Sequence, residues 1–262
     1  MTEYAIPLKV LMKPAFTFEK AIYHGAMAAS LLSVIYLVSV YAIGYSWLPF
    51  VTIDAASSEL TLSLIQCLLG MAALHLPMLL TRLTKIKLPD ALCACFYIFI
   101  LCGTVLGEMF SLYYRISVWD SLLHFGSGIM CGMLGSILCA DFLKKKKCEK
   151  IITPAFIAAA VVCFSICIGV FWEIYEFTFD SILGLNMQKC FLEDGTALAG
   201  QAGILDTMKD LIVDTLGALV AAVGSFLSIK YNKGWLSSYL AGTHAKEAKK
   251  LEFEIPALKY TA

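Results

Sequence analysis

The chain has 262 residues, of which 60% are hydrophobic and only 15% charged, with a mean hydropathy of +0.79. A soluble domain carries about 25% charged residues, so the composition excludes a soluble protein with a large core. It indicates instead an all-α, polytopic helical membrane protein. The 20 basic and 20 acidic residues cancel, which argues against nucleic acid as a partner.

Residues 1–20 lack the cationic start and cleavage site of a secretory signal, so the first helix is expected to be retained. A spanning helix needs about 20 mostly apolar residues. Six segments qualify: 21–44, 60–80, 91–113, 121–142, 153–179 and 207–229. The breaks between them fall at Trp47-Leu48-Pro49, Leu88-Pro89-Asp90, the run Lys144 to Lys147, Thr153-Pro154, and a long stretch from Gly184 to Gly203. The expected organisation is a cytoplasmic N-terminal segment 1–20, a six-helix transmembrane domain 21–229 and a cytoplasmic tail 230–262. That tail is polar and basic from Tyr231 onward, as befits a solvated extension near anionic lipid.

Orientation follows from the basic residues, which concentrate on the cytoplasmic side. One side receives Lys9, Lys13 and Lys20, then Arg82, Lys85 and Lys87, then the Lys144 to Lys147 run with Lys150. It also receives the C-terminal lysines from Lys230 to Lys259. The other side receives only Arg115, Lys189 and Lys209. Both termini are therefore expected in the cytoplasm. Most of the ten cysteines fall in apolar runs, where a free thiol behaves as a small hydrophobe. Their spacing lacks the paired C-x-x-C pattern of a zinc site.

Ionisable residues inside these spans need a reason, since each costs roughly 2.5–3.5 kcal/mol on insertion scales. Asp120 and His124 open the fourth span, four apart and so on one helix face. Ser117 with Asp120 also fits a capping box, which would explain the carboxylate locally. His124 lies a turn deeper, beside Phe125 and Gly126, beyond any cap. In the fifth span Glu173, Glu176 and Asp180 form a stripe. Glu173 follows the uninterrupted apolar run from Ala155 to Trp172, while Asp180 is expected at the interface. The neighbouring Trp172, Tyr175 and Phe177 also fit an interfacial aromatic belt.

In the sixth span Asp206, Asp210 and Asp214 recur every four residues, a stripe running about 12 Å into the membrane. Asp206 also fits an N-cap, and Thr207 with Asp210 another capping box. With the topology above, all three groups meet at the extracytoplasmic end. Gly128 and Gly132, Gly103 and Gly107, and Gly217 and Gly224 suit close helix approach.

Carboxylates with one imidazole at a single depth suit a divalent cation such as Mg²⁺, Mn²⁺ or Zn²⁺. Asp120, His124, Glu173 and Asp210 are the expected ligands. Glu176, Asp206 and Asp214 are expected to support them or to act as general base. Glu108 and Arg115 could line the same site, Arg115 being the basic residue expected to reach a phosphate. There is no G-x-x-x-x-G-K-[ST], G-x-S-x-G or H-E-x-x-H motif.

The pattern Trp119-Asp120-x-x-x-His124-Phe125-x-x-Gly128, then Glu173-x-x-Glu176-Phe177, then Asp206-Thr207-x-x-Asp210 and Gly217-Ala218 resembles the YjdF-like family of bacterial inner-membrane proteins. The likeness spans about residues 90–230. A more distant likeness is to the VanZ-like family, associated with glycopeptide (teicoplanin) resistance, where the position of Asp214 is often Asn. The resemblance implies a multi-pass protein of the bacterial plasma membrane. It points to Asp120, His124, Glu173, Asp206 and Asp210 as the functional set without naming a reaction.

The leading expectation is a metal-dependent activity on a membrane lipid or a lipid-linked envelope precursor. A proton- or cation-coupled transporter is the alternative, and needs a polar path continuing to the cytoplasmic side. A structural or partner-binding role, with the acids only joining helices, is the third.

Overall fold

The computed structural model describes residues 17–48, 51, 58–146, 153–192 and 195–236. The described chain is nearly all helical, with no strand among the described residues beyond one isolated bridge between Phe191 and Ala197. Among the described residues six helices are long and apolar enough to cross a membrane. Most of the expected terminal segments, including the lysines from Lys246 on, lie outside the described residues.

The first crossing is α1 (Phe18–Ile43), started by Thr17 and stopped by Gly44, whose φ of 88° only glycine adopts freely. The second is broken into α2 (Ser58–Ala73) and α3 (Leu76–Thr84), because Pro77 cannot donate a backbone bond to a continuing helix. The third begins as α4 (Asp90–Leu101) and widens into a π-helix over Cys102–Met109. This span ends at Met109 rather than at 113, and Leu112–Arg115 forms a separate single turn, α5. The fourth, fifth and sixth crossings are α6 (Trp119–Lys146), α7 (Pro154–Leu183) and α8 (Leu205–Lys230), the last led in by a 3₁₀ turn over Gly200–Ile204.

Two three-crossing groups result. The first packs α1 against α2 and α4, with Tyr36, Leu37, Val40 and Cys67 buried together and Ala26, Leu74 and Tyr97 in a second cluster. The second packs α6, α7 and α8, the closest-packed helices of the chain. Here the glycine expectation holds at Gly128 and Gly217. A Cβ on Gly128 would collide with the Asp214 carbonyl, and one on Gly217 with the Phe125 carbonyl, so the α6 and α8 backbones touch. Deeper along the same seam Ser136 and Ser225 share a 2.6 Å hydrogen bond. Gly107 instead faces the Tyr113 ring of its own segment, and Gly224 lies near Trp235, so neither serves a contact between crossings.

The two groups meet through Ile86, Leu92, Ile137, Ala140 and Leu236, at the end away from the acidic residues. Towards the acidic end, where Trp119 Nε1 donates to the Cys102 carbonyl at 3.3 Å, a cavity of about 1520 Å³ is lined by residues of both groups.

Candidate functional site

His124 sits on the first turns of α6 and is 7% exposed. The helix starts at Trp119, so Ser117 lies too far upstream to be its N-cap, and the capping box expected for Asp120 does not form. Asp120 turns to other partners. Its Oδ1 is 3.7 Å from His124 Nε2, and its Oδ2 pairs with the Lys189 ammonium.

The capping explanations for the sixth span fail in the same way. The 3₁₀ turn moves the start of α8 upstream to Leu205, and its N-cap, Ile204, has no capping side chain. Asp206 and Thr207 are therefore already inside the helix. Asp206 Oδ1 accepts from Lys189 Nζ at 3.0 Å, and Thr207 Oγ1 accepts from Gln188 Nε2 at 3.0 Å.

The close α6–α8 approach carries Asp214 to the imidazole. Its Oδ2 lies 3.1 Å from His124 Nδ1, and its Oδ1 accepts from Ser127 Oγ at 2.7 Å. A carboxylate only accepts, so Nδ1 carries a proton and Nε2 is left to other partners. Nε2 faces Asp120 Oδ1 at 3.7 Å and Asp210 Oδ2 at 4.0 Å. Asp210 is 1% exposed, and its Oδ1 has no hydrogen-bond partner. A buried carboxylate oxygen left unpaired is costly, so this atom asks for a ligand.

Asp120, His124 and Asp210 can hold a metal ion: one ligand atom from each lies within 4.8 Å of the others. Two atoms bonded to one ion lie no further apart than twice the bond length, about 4–5 Å for bonds of roughly 2.0–2.6 Å. The donor set of one imidazole and two carboxylates suits a divalent ion. The His124–Asp214 contact is the carboxylate–histidine arrangement that fixes the ring of a metal-bound histidine.

Glu173 is not in this group. It is 6% exposed, with Gln188 Nε2 at 3.5 Å from its Oε2, and its Oε1 has no partner. Glu176, also buried, accepts from Trp172 Nε1 at 2.8 Å and lines the cavity. Asp180 caps the following loop, accepting from Met187 N at 2.8 Å and Gln188 N at 3.0 Å. Both Glu108 and Arg115 line the cavity, as expected.

Residues that the sequence reading passed over complete the picture. Ser127, one turn beyond His124 on the same face, was findable from that spacing. Lys189, the basic residue of the loop between α7 and α8, ties Asp120 to Asp206. Burial works against the Lys189 charge, but those two carboxylates outweigh it and push its pKa above the ordinary lysine value of 10.5.

Among known proteins, the family model described as "Predicted membrane protein (DUF2238)" matches residues 31–230. An uncharacterized protein of Thermotoga maritima is 35% identical over 121 residues, covering 45% of this chain. The match spans about half, 53%, of that relative's length. No solved structure matches the chain.

Proposed function

We propose that this chain, which belongs to the DUF2238 family of predicted membrane proteins, binds a divalent cation on Asp120, His124 and Asp210 and uses it on a lipid or envelope precursor. The YjdF-like resemblance agrees with the family match. The more distant VanZ-like likeness rests on the same order of acid and histidine, Glu, then Asp, and favours an envelope substrate. The distribution of basic residues supports a site at the extracytoplasmic end of a bacterial plasma-membrane protein with both termini inside.

One observation carries the reading: Asp214 fixes the His124 ring so that Nε2 faces half-buried Asp120 and fully buried Asp210, the latter with an unpartnered oxygen. A divalent ion held there would supply Lewis-acid polarisation of a phosphoryl or carbonyl oxygen. Around it Asp214 holds the imidazole, and Lys189 holds Asp120 against Asp206. Glu173, buried within electrostatic reach of His124, would offset part of the added positive charge. Glu176, buried on the cavity wall, is the carboxylate placed to take a proton from a nucleophile.

A carrier would need a continuing polar path. The far half of α6–α8 is packed instead with Leu143, Ile157, Val161 and Ala222, and its Ser136 and Ser225 are satisfied by each other.

Equilibrium dialysis of the purified full chain against Mn²⁺ tests the proposal. One ion per chain is expected, with affinity falling at least about 100-fold in Asp210→Asn, beyond the effect of an outer partner. No bound ion, or binding indifferent to Asp210→Asn and His124→Gln, overturns it.

A further inference from the structure

The cavity between the two helix groups extends well past the ion site. Along α7 its wall runs from Asp180 down to Ser165, about 22 Å of helix. Half of the hydrocarbon core is only about 15 Å, so the cavity passes the depth of one leaflet. Its volume, about 1520 Å³, exceeds the roughly 300–1,000 Å³ of a site for a drug-sized molecule.

Its chemistry changes with depth. The shallow end carries Asp120, His124, Glu176, Arg115 and Lys189. The deep wall is mostly apolar, formed by Ala73, Leu76, Phe96, Phe99 and Ile100, with Ser165 on α7. A water-soluble substrate would leave that apolar half against water at the middle of a bilayer. A hydrocarbon chain matches it.

We propose that this cavity holds one lipid, its phosphate head at the Asp120–His124–Asp210 end and its chain between α2–α4 and α6–α7. The inference rests on the metal reading and names the substrate class for it. The head end holds five carboxylates, Glu108, Asp120, Glu176, Asp180 and Asp214, against Arg115, His124 and Lys189, an excess that repels a bare phosphate. A divalent ion on the three ligands reverses that balance, and Arg115 adds a planar donor fork suited to phosphate oxygens. Head binding is therefore metal-dependent, whereas chain binding depends only on the deep wall. The two halves of the site can be broken separately.

The test uses the full chain in detergent with Mn²⁺ and phosphatidic acid carrying a fluorescent chain, read by fluorescence polarisation. Binding at one lipid per chain is expected, weakened at least about 10-fold by EDTA, in line with loss of one strong contact. Ala73→Trp fills the deep end and is expected to weaken lipid binding by a similar factor while Mn²⁺ binding stays unchanged. Leu76→Trp repeats this at the start of α3, where the exposed site accepts a larger ring if the first variant does not fold. Millimolar inorganic phosphate is expected not to displace the lipid.

Displacement by inorganic phosphate, or lipid binding indifferent to both tryptophan variants, overturns the proposal. Mn²⁺ binding without lipid binding overturns it alone. Absence of Mn²⁺ binding overturns the metal reading and this one together.

Discussion

Replacing Asp214 by Asn separates the charge of this carboxylate from its shape. Asp214 receives His124 Nδ1–H at 3.1 Å and Ser127 Oγ–H at 2.7 Å. An amide of the same size accepts from Nδ1–H through its oxygen and offers its NH₂ to Ser127. The Ser127 hydroxyl has a second acceptor already in reach, the His124 carbonyl at 2.8 Å. No buried group is orphaned, so stability is expected to change by less than about 1 kcal/mol.

Metal affinity should change more. Hydrogen bonds to a charged group contribute about 1.5–3 kcal/mol against roughly 0.5–1.5 for neutral ones. The imidazole thus loses about 1–1.5 kcal/mol of the polarisation that makes Nε2 a good ligand. That corresponds to roughly a tenfold weaker site, at the low end of the 10–100-fold found for such outer partners.

Asp214→Leu is the companion. It leaves the buried Nδ1–H without an acceptor, an added cost of about 1–3 kcal/mol in stability. Mn²⁺ titration with thermal melting in one detergent reads both quantities. An Asp214→Asn protein that binds Mn²⁺ as tightly as the wild type refutes the assigned role of the carboxylate. So does a pair of variants whose melting temperatures fall equally.

Three further outcomes follow from the same geometry. Gly128→Ala puts a methyl against the Asp214 carbonyl, so α6 and α8 must part; about 1–3 kcal/mol of stability and much of the metal affinity should be lost together, read by melting and dialysis. Ser136→Ala removes a hydrogen bond on the same seam far from the site; a loss of about 0.6 kcal/mol with unchanged Mn²⁺ affinity is expected. Lys189→Met removes the cation that competes for Asp120, so Mn²⁺ alone should bind several-fold tighter. Because the Lys189 pKa is raised above 10.5, its ion pairs are fully present below that value and weaken only as pH climbs through the raised one. The gain should therefore be constant between roughly pH 6 and 9, and a gain that changes across that window would contradict the pairing.

The six crossings were legible because a long apolar run is a local property of sequence. The end of the bundle where the acids gather was legible too, since helix period and alternating topology fix it. What remained hidden depended on longer-range geometry. Glu173 and Glu176, three residues apart, read as one stripe, yet at 3.6 residues per turn they point about 60° apart. That angle is enough to send Glu176 to the cavity and Glu173 towards Gln188 of the loop.

The capping boxes proposed for Ser117 and Thr207 were locally sound. They failed because α6 starts two residues later than Ser117, and α8 starts upstream of Thr207 behind its 3₁₀ turn. The cavity had no local signal at all. Its lining comes from both helix groups, from residues far apart in the chain.

The glycines explain why the site lies where it does. Gly128 and Gly217 bring α6 and α8 into backbone contact, at the turn where His124 and Asp214 face each other. Gly169 on α7 makes room for the same carboxylate: a Cβ there would stand 2.6 Å from Asp214 Oδ2. In a membrane, helix association relies on packing and interhelical hydrogen bonds rather than on a hydrophobic drive. The tightest seam of this bundle is therefore where buried carboxylates can be held at fixed distances despite their mutual repulsion. Holding them unpaired costs stability, which a bound cation would return. Fold and candidate site thus depend on the same few contacts, which is why a methyl group on Gly128 should disturb both at once.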